Sequence, residues 1–153
     1  MSAQGMPREI VHKDNVALIR RWFEEVWNQG SEEAIDRMSA SRVVGHGQAQ
    51  HDKEIHGLDE FKPFVRSIRA AFPDIHITIH EAFEEDDKVV ARWTAQMTHT
   101  GKFLGFPASG RKATISGMSM QRIVDGKIVE GWDNWDQLGL MVQIGALPLT
   151  KFA

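Results

Sequence analysis

At Pro73 the hydrophobic period of the chain changes, and this switch limits the possible folds more than any other feature. Before it, Leu58, Phe61, Val65, Ile68 and Phe72 recur at helical spacing, and the proline stops that helix. After it, Ile75, Ile77 and Ile79 alternate with His76, Thr78 and His80, the period of a half-covered strand. Asp86-Asp87 makes a turn, and Lys88 to Thr98 reads as a long strand with Val89, Ala91, Trp93, Ala95 and Met97 on one face. Residues 112–124 and 127–136 read as two further strands joined by an Asp125-Gly126 hairpin. Helices followed by strands joined in sequence predict an α+β fold: a curved antiparallel sheet with the N-terminal helices packed on its concave face. Such a sheet, curled around its helices, makes a cone with a pocket inside.

Upstream, Asp14 caps a helix whose apolar stripe is Val16, Ile19, Phe23, Val26 and Trp27, and Asn28-Gln29-Gly30 ends it. Ser31 with Glu32 and Glu33 opens a short second helix through about Met38. Residues 42–57 are ambiguous: Val43-Val44 fits a short strand, and the rest reads as a polar, histidine-rich loop. Gln137 to Ile144 reads as a last short helix or turn, ended by Gly145 and Pro148. Residues 1–13 are expected as a lead-in and 14–153 as a single domain, with no internal repeat or linker.

Composition excludes several kinds of function. The net charge of −3 offers no electrostatic case for nucleic acid or an anionic membrane. No apolar run reaches the roughly 18 residues of a membrane span. The first residues lack the apolar core of a signal peptide. The chain has no cysteine, which removes thiol catalysis, disulfides and thiolate metal sites and fits a cytoplasmic protein. It has no tyrosine either, so no phenol serves as an acid or oxyanion donor. His46, His51 and His56 recur every five residues, a spacing that suits neither a helix nor a strand as a ligand set, and no metal is expected there.

Asp133 stands between Trp132 and Trp135, and strand alternation puts it on the face of Val129, Gly131 and Trp135. An acid beside aromatic walls is a candidate proton-transfer group, because such walls raise a carboxyl pKa. His99 sits where a strand meets a glycine- and proline-rich loop, with Trp93 and Met97 as its alternation partners, which points it toward the pocket. Trp93, Trp135 and, from the first helix, Trp22 are candidate pocket walls, and His46 is placed at the pocket mouth.

Several segments match a known family. They are Arg20 through Asn28, Phe72-Pro73-Asp74, Ala91-Arg92-Trp93-Thr94, Thr98-His99-Thr100-Gly101, Gly105-Phe106-Pro107, Gly126-Lys127-Ile128-Val129-Glu130, and Trp132-Asp133 through Gln143-Ile144-Gly145. In this order the chain resembles the SnoaL-like polyketide cyclases of the nuclear-transport-factor-two-like superfamily, over roughly residues 14–147. The resemblance implies a cone-shaped α+β barrel and an intramolecular aldol ring closure that uses no metal and no cofactor. It assigns the acid/base role to Asp133 and matches the family's His-x-Gly to His99-Thr100-Gly101. The founding members carry a histidine and a glutamine on the preceding strand, where this chain has Ser119 and Gly117. They also carry an asparagine after the second helix, where this chain has Gly45 followed by His46.

The expectation is therefore an enzyme acting on a small hydrophobic carbonyl compound, with Asp133 and His99 catalytic and with Trp93, Trp135, Ser119, His46 and Trp22 contacting substrate. A non-catalytic carrier of the same fold is the alternative, as is another lyase, isomerase or hydrolase activity in the same pocket. An epoxide hydrolase would need an aspartate where the long strand reads Arg92-Trp93-Thr94, and a ketosteroid-type isomerase usually employs a tyrosine. A homodimer through the uncharged outer face of the sheet is expected, with Thr78, Thr94, Gln96, Thr114 and Ser116 on that face.

Overall fold

Asp14 accepts a hydrogen bond from the Ala17 N–H and starts α1 (Asn15–Trp22). The computed structural model describes residues 14–48 and 53–148; the lead-in 1–13, His51 and the last five residues lie outside them. Beyond Trp22 the helix winds more loosely, as a π-helical stretch over Phe23–Asn28. That stretch buries Phe23 and Val26, and it ends with Asn28 against the sheet. The Asn28 amide accepts from the Ile77 N–H at 2.7 Å and donates to the Ile77 carbonyl at 3.0 Å, standing in for a neighbouring strand. Ser31 caps α2 (Glu32–Met38) through the Ala34 N–H. α3 runs Leu58–Ala71 and buries Phe61, Val65 and Ala71.

The ambiguous segment resolves into β1 (Ser39–His46) and β2 (Ile55–His56). The alternating segments form β3 (His76–Glu85), β4 (Lys88–Thr98), β5 (Lys112–Val124) and β6 (Lys127–Trp135), followed by α4 (Gln137–Gln143). The sheet order is β2-β1-β6-β5-β4-β3. β3 through β6 pair antiparallel in sequence, as alternation predicts, but β1 runs parallel to β6. The sheet is thus mixed and six-stranded rather than wholly antiparallel. The pairing of β1 depends on a strand more than eighty residues away and is broken by a register shift between Ser39 and Val44.

The core fills the concave side of this curved sheet. Ile19, Val26 and Ile35 from the helices meet Val89, Ala91, Ala95 and Ile115 from the central strands, all buried. Trp22 stacks on Phe61 at 5.5 Å, so it ties α1 to α3.

Candidate active site

The inward faces of β4, β5 and β6 converge on one carboxyl group. Ser119 and Asp133 are direct partners across the β5–β6 ladder, so their side chains leave the sheet on the same side. The Ser119 hydroxyl donates to Asp133 Oδ1. It also accepts from the Trp93 indole N–H at 2.9 Å. Because an indole can only donate, it fixes the direction of the chain: Trp93 to Ser119, Ser119 to Asp133. Ser119 is 2% exposed, so this relay is closed to bulk water.

Gln48 supplies the second contact, its Nε2 donating to Asp133 Oδ2 at 2.5 Å. Gly47 makes the approach possible. Its φ is +77°, and a Cβ there would collide with the Asp133 carbonyl oxygen. The Gly47 carbonyl in turn accepts from the Trp135 indole at 3.1 Å. The amide oxygen of Gln48 is buried against Gly45 without a hydrogen-bond partner among the described residues.

Asp133 lies on the wall of an inner chamber of about 90 Å³. Phe23, Trp27, Trp93, Met97 and Ile115 are among the apolar side chains around it. An outer recess of about 540 Å³ adjoins it, and Gln48, Phe64, Ile68, Phe103 and Trp135 form walls of both. Asp133 keeps part of its surface toward the chamber, yet it sits deep enough that desolvation raises its carboxyl above the ordinary carboxylate value. The hydrogen bonds from Ser119 and Gln48 favour the ionised form and partly oppose that rise.

The other expected site residues are placed differently. Trp93 and Trp135 line the chamber, while Ser119 stands behind Asp133 as its hydrogen-bond partner and is not a wall residue. His99 is buried behind the wall. Its ring lies 5.5 Å from Phe72, which does face the chamber. The Ser109 hydroxyl and backbone N–H both meet His99 Nδ1, at 2.9 and 3.2 Å, while Nε2 is buried without a partner among the described residues. His99 is held there because Gly101 packs directly on the Ala70 carbonyl, and the N–H groups of Thr100 and Gly101 both donate to the Ala71 carbonyl. The His-x-Gly segment thereby docks the long loop onto the end of α3.

His46 is on the opposite face of the sheet from Asp133. It pairs with Glu54 at 3.2 Å and Glu130 at 3.3 Å and stacks on Trp132 at 5.3 Å. The alternation that turns Asp133 inward turns Trp132 and its neighbour His46 outward. Trp22 lines a smaller recess of about 20 Å³ beside Gln121 and Phe61, not the chamber. Gln48 was not singled out from sequence. The only signal for it was a glycine between two polar residues, and that pattern does not say which of the two turns inward.

Among the described residues no group of three His, Cys, Asp or Glu side chains is arranged to hold a metal ion. No described helix is long and apolar enough to cross a membrane.

Comparison with known proteins extends these observations. The chain is 30% identical over 131 residues to the aklanonic acid methyl ester cyclase DnrD of Streptomyces peucetius, covering 85% of this chain and 90% of that protein. Among solved structures, TsrD of Streptomyces laurentii is similar with a TM-score of 0.76 at 28% identity, over 87% of this chain and 96% of that one. A protein from Jannaschia sp. CCS1, provisionally assigned as a SnoaL-like polyketide cyclase, has a TM-score of 0.81 over 94% of this chain and 100% of its own; at 23% identity that likeness is one of fold. The family model described as SnoaL-like polyketide cyclase matches residues 17–144, and the chain belongs to that family.

Proposed function

We propose that this chain is a cofactor-free acid/base enzyme that closes a ring in a small hydrophobic carbonyl compound, with Asp133 as the proton-transfer group. The observation that carries this reading is the Asp133 carboxyl itself, set in the wall of an apolar chamber and held by Ser119 and Gln48. Its family membership and its likeness to a named ester cyclase support the same class of reaction.

The ionised carboxyl takes a proton from the carbon alpha to one carbonyl. The enolate carbon then bonds to a second carbonyl carbon of the same molecule, whose oxygen becomes an alkoxide. The proton held on Asp133 passes to that oxygen. No atom is gained or lost, so the product is an isomer of the substrate. Desolvation makes the carboxylate a stronger base and lets it hold the proton until it is returned. The chamber contributes by folding the substrate so that its reacting atoms meet. Ser119 and Gln48 keep the carboxyl in one orientation through both transfers. His99, placed behind Phe72, is assigned no proton transfer and holds the loop.

A homodimer through the outer face of the sheet and a cytoplasmic setting belong to the same proposal. That face presents Thr78, Gln96, Thr114 and Ser116, and Met118 there is 50% exposed. Light scattering that finds only monomer at micromolar concentration contradicts the dimer.

The activity is tested by incubating the purified protein with aklanonic acid methyl ester, the corresponding free acid and related aromatic keto compounds. The expected product has unchanged mass and a new chromatographic retention, and it does not form with Asp133→Asn. If hydrophobic ligands bind but none is converted by the wild type, the chain is a carrier rather than an enzyme.

A further inference from the structure

The two adjoining cavities carry opposite charge. Asp133 is the one ionisable side chain among the described residues lining the inner chamber, and Lys53 and Lys102 are the two lining the outer recess. No carboxylate shares the outer recess with them among the described residues. The two lysines come from separate segments, one leading into β2 and the other in the loop after β4, and both are exposed. Neither makes an ion pair among the described residues, whereas Lys62 pairs with Asp36 at 2.7 Å and Lys88 with Asp87 at 2.9 Å. Acids outnumber bases by three in this chain, so two cations at one cavity mouth with no carboxylate partner among the described residues run against its composition.

We propose that Lys53 and Lys102 form an anion-selective rim and that the ligand is an amphipathic acid, an apolar body bearing one anionic group such as a carboxylate. This inference rests on the reading of the chamber as a ligand site and adds the class and direction of the ligand. The apolar body fits the aromatic walls shared by the two cavities. The outer recess, at about 540 Å³, falls within the roughly 300–1,000 Å³ common for small-molecule sites. The Asp133 carboxylate repels a second anion from the inner wall, while the lysines attract it to the rim. The acidic end therefore stays outside and the carbonyl-bearing end goes in. Gln48, Ser67 and Gln137, the other polar side chains of the recess, are neutral and oppose neither charge. The relative named above acts on a methyl ester; a rim of two lysines fits a free acid instead.

The test uses two fluorescent probes with the same aromatic body, 1-anilinonaphthalene-8-sulfonate and the uncharged N-phenyl-1-naphthylamine. In the wild type the two should compete for one site, and added sodium chloride should weaken the sulfonate alone. The double variant Lys53→Gln, Lys102→Gln should bind the sulfonate about fivefold or more weakly, with neutral-probe binding unchanged. The rim is refuted if the variant leaves sulfonate binding unchanged, if it weakens both probes alike, or if the probes do not compete. Normal neutral-probe binding with no charge effect overturns the rim and leaves the proposed function standing. Failure of both probes to bind the wild type overturns the ligand chamber and the rim together.

Discussion

The indole of Trp93 lies over the bare Cα of Gly117, its partner on the neighbouring strand, where a Cβ would stand 2.6 Å from Cη2. The same indole donates to Ser119, two residues farther along β5. Gly117 and Ser119 serve the same ring, because one makes room for the tryptophan and the other links it to Asp133.

Gly117→Ala should therefore cost more than an ordinary strand substitution. Trp93 is rigid and buried, and it cannot move without losing its bond to Ser119. The expected loss is about 1–3 kcal/mol in urea unfolding. A change below about 0.5 kcal/mol, the scale of a neutral surface substitution, would show that the contact is loose.

Ser119→Ala removes a donor to the carboxylate and strands the Trp93 N–H. Stability should fall by about 1–3 kcal/mol. The acid limb of kcat/KM should move to higher pH, because the lost hydrogen bond was lowering the Asp133 pKa. An unmoved limb contradicts the assignment of that limb to Asp133.

Gln48→Leu tests the other carboxyl oxygen. It too should shift the acid limb upward, and kcat should fall by about tenfold, within the range of a lost charged hydrogen bond. Binding of an uncharged apolar ligand should persist. An unchanged pH profile would remove Gln48 from the machinery.

Asp133 also has a stability signature. Its folded-state pKa is raised above the ordinary 3.8, so the folded protein holds this proton more tightly than the unfolded chain. Stability conferred by protonated Asp133 is fully present below the ordinary value and is lost as pH rises through the raised one. Asp133→Asn should accordingly be more stable than wild type near neutrality, and the difference should shrink as pH falls toward the ordinary carboxylate range. Thermal melts across that window check the sign; a variant that is less stable at neutral pH contradicts the desolvated carboxyl.

Sequence periodicity was a good guide where the contacts are local or the alternation is long. The helices at 15–28 and 58–71 and the strands from His76 to Trp135 are where their apolar stripes put them. Asp133 turns inward with Gly131 and Trp135 as expected, but at the start of β6 the buried residue is Ile128 rather than Val129, because the β5–β6 ladder shifts register between Ile128 and Glu130. The π-helical winding at Phe23 escapes such reading, since Phe23, Val26 and Trp27 keep ordinary helical spacing and only the backbone bonding changes. β1 escapes it too, because its burial is irregular and its partner is remote. His46 and Gln48 show the limit most clearly. Both flank Gly47, and only the pairing of β1 with β6 decides that the glutamine meets the carboxylate while the histidine meets Trp132.

The most direct test of Asp133 as the proton-transfer group is turnover of a converted substrate by Asp133→Asn, measured beside its affinity for the same compound. Asparagine keeps the shape and cannot exchange the proton. The expected result is a kcat lower by about a hundredfold or more with binding nearly intact. Unchanged turnover with intact binding would contradict the role given to Asp133.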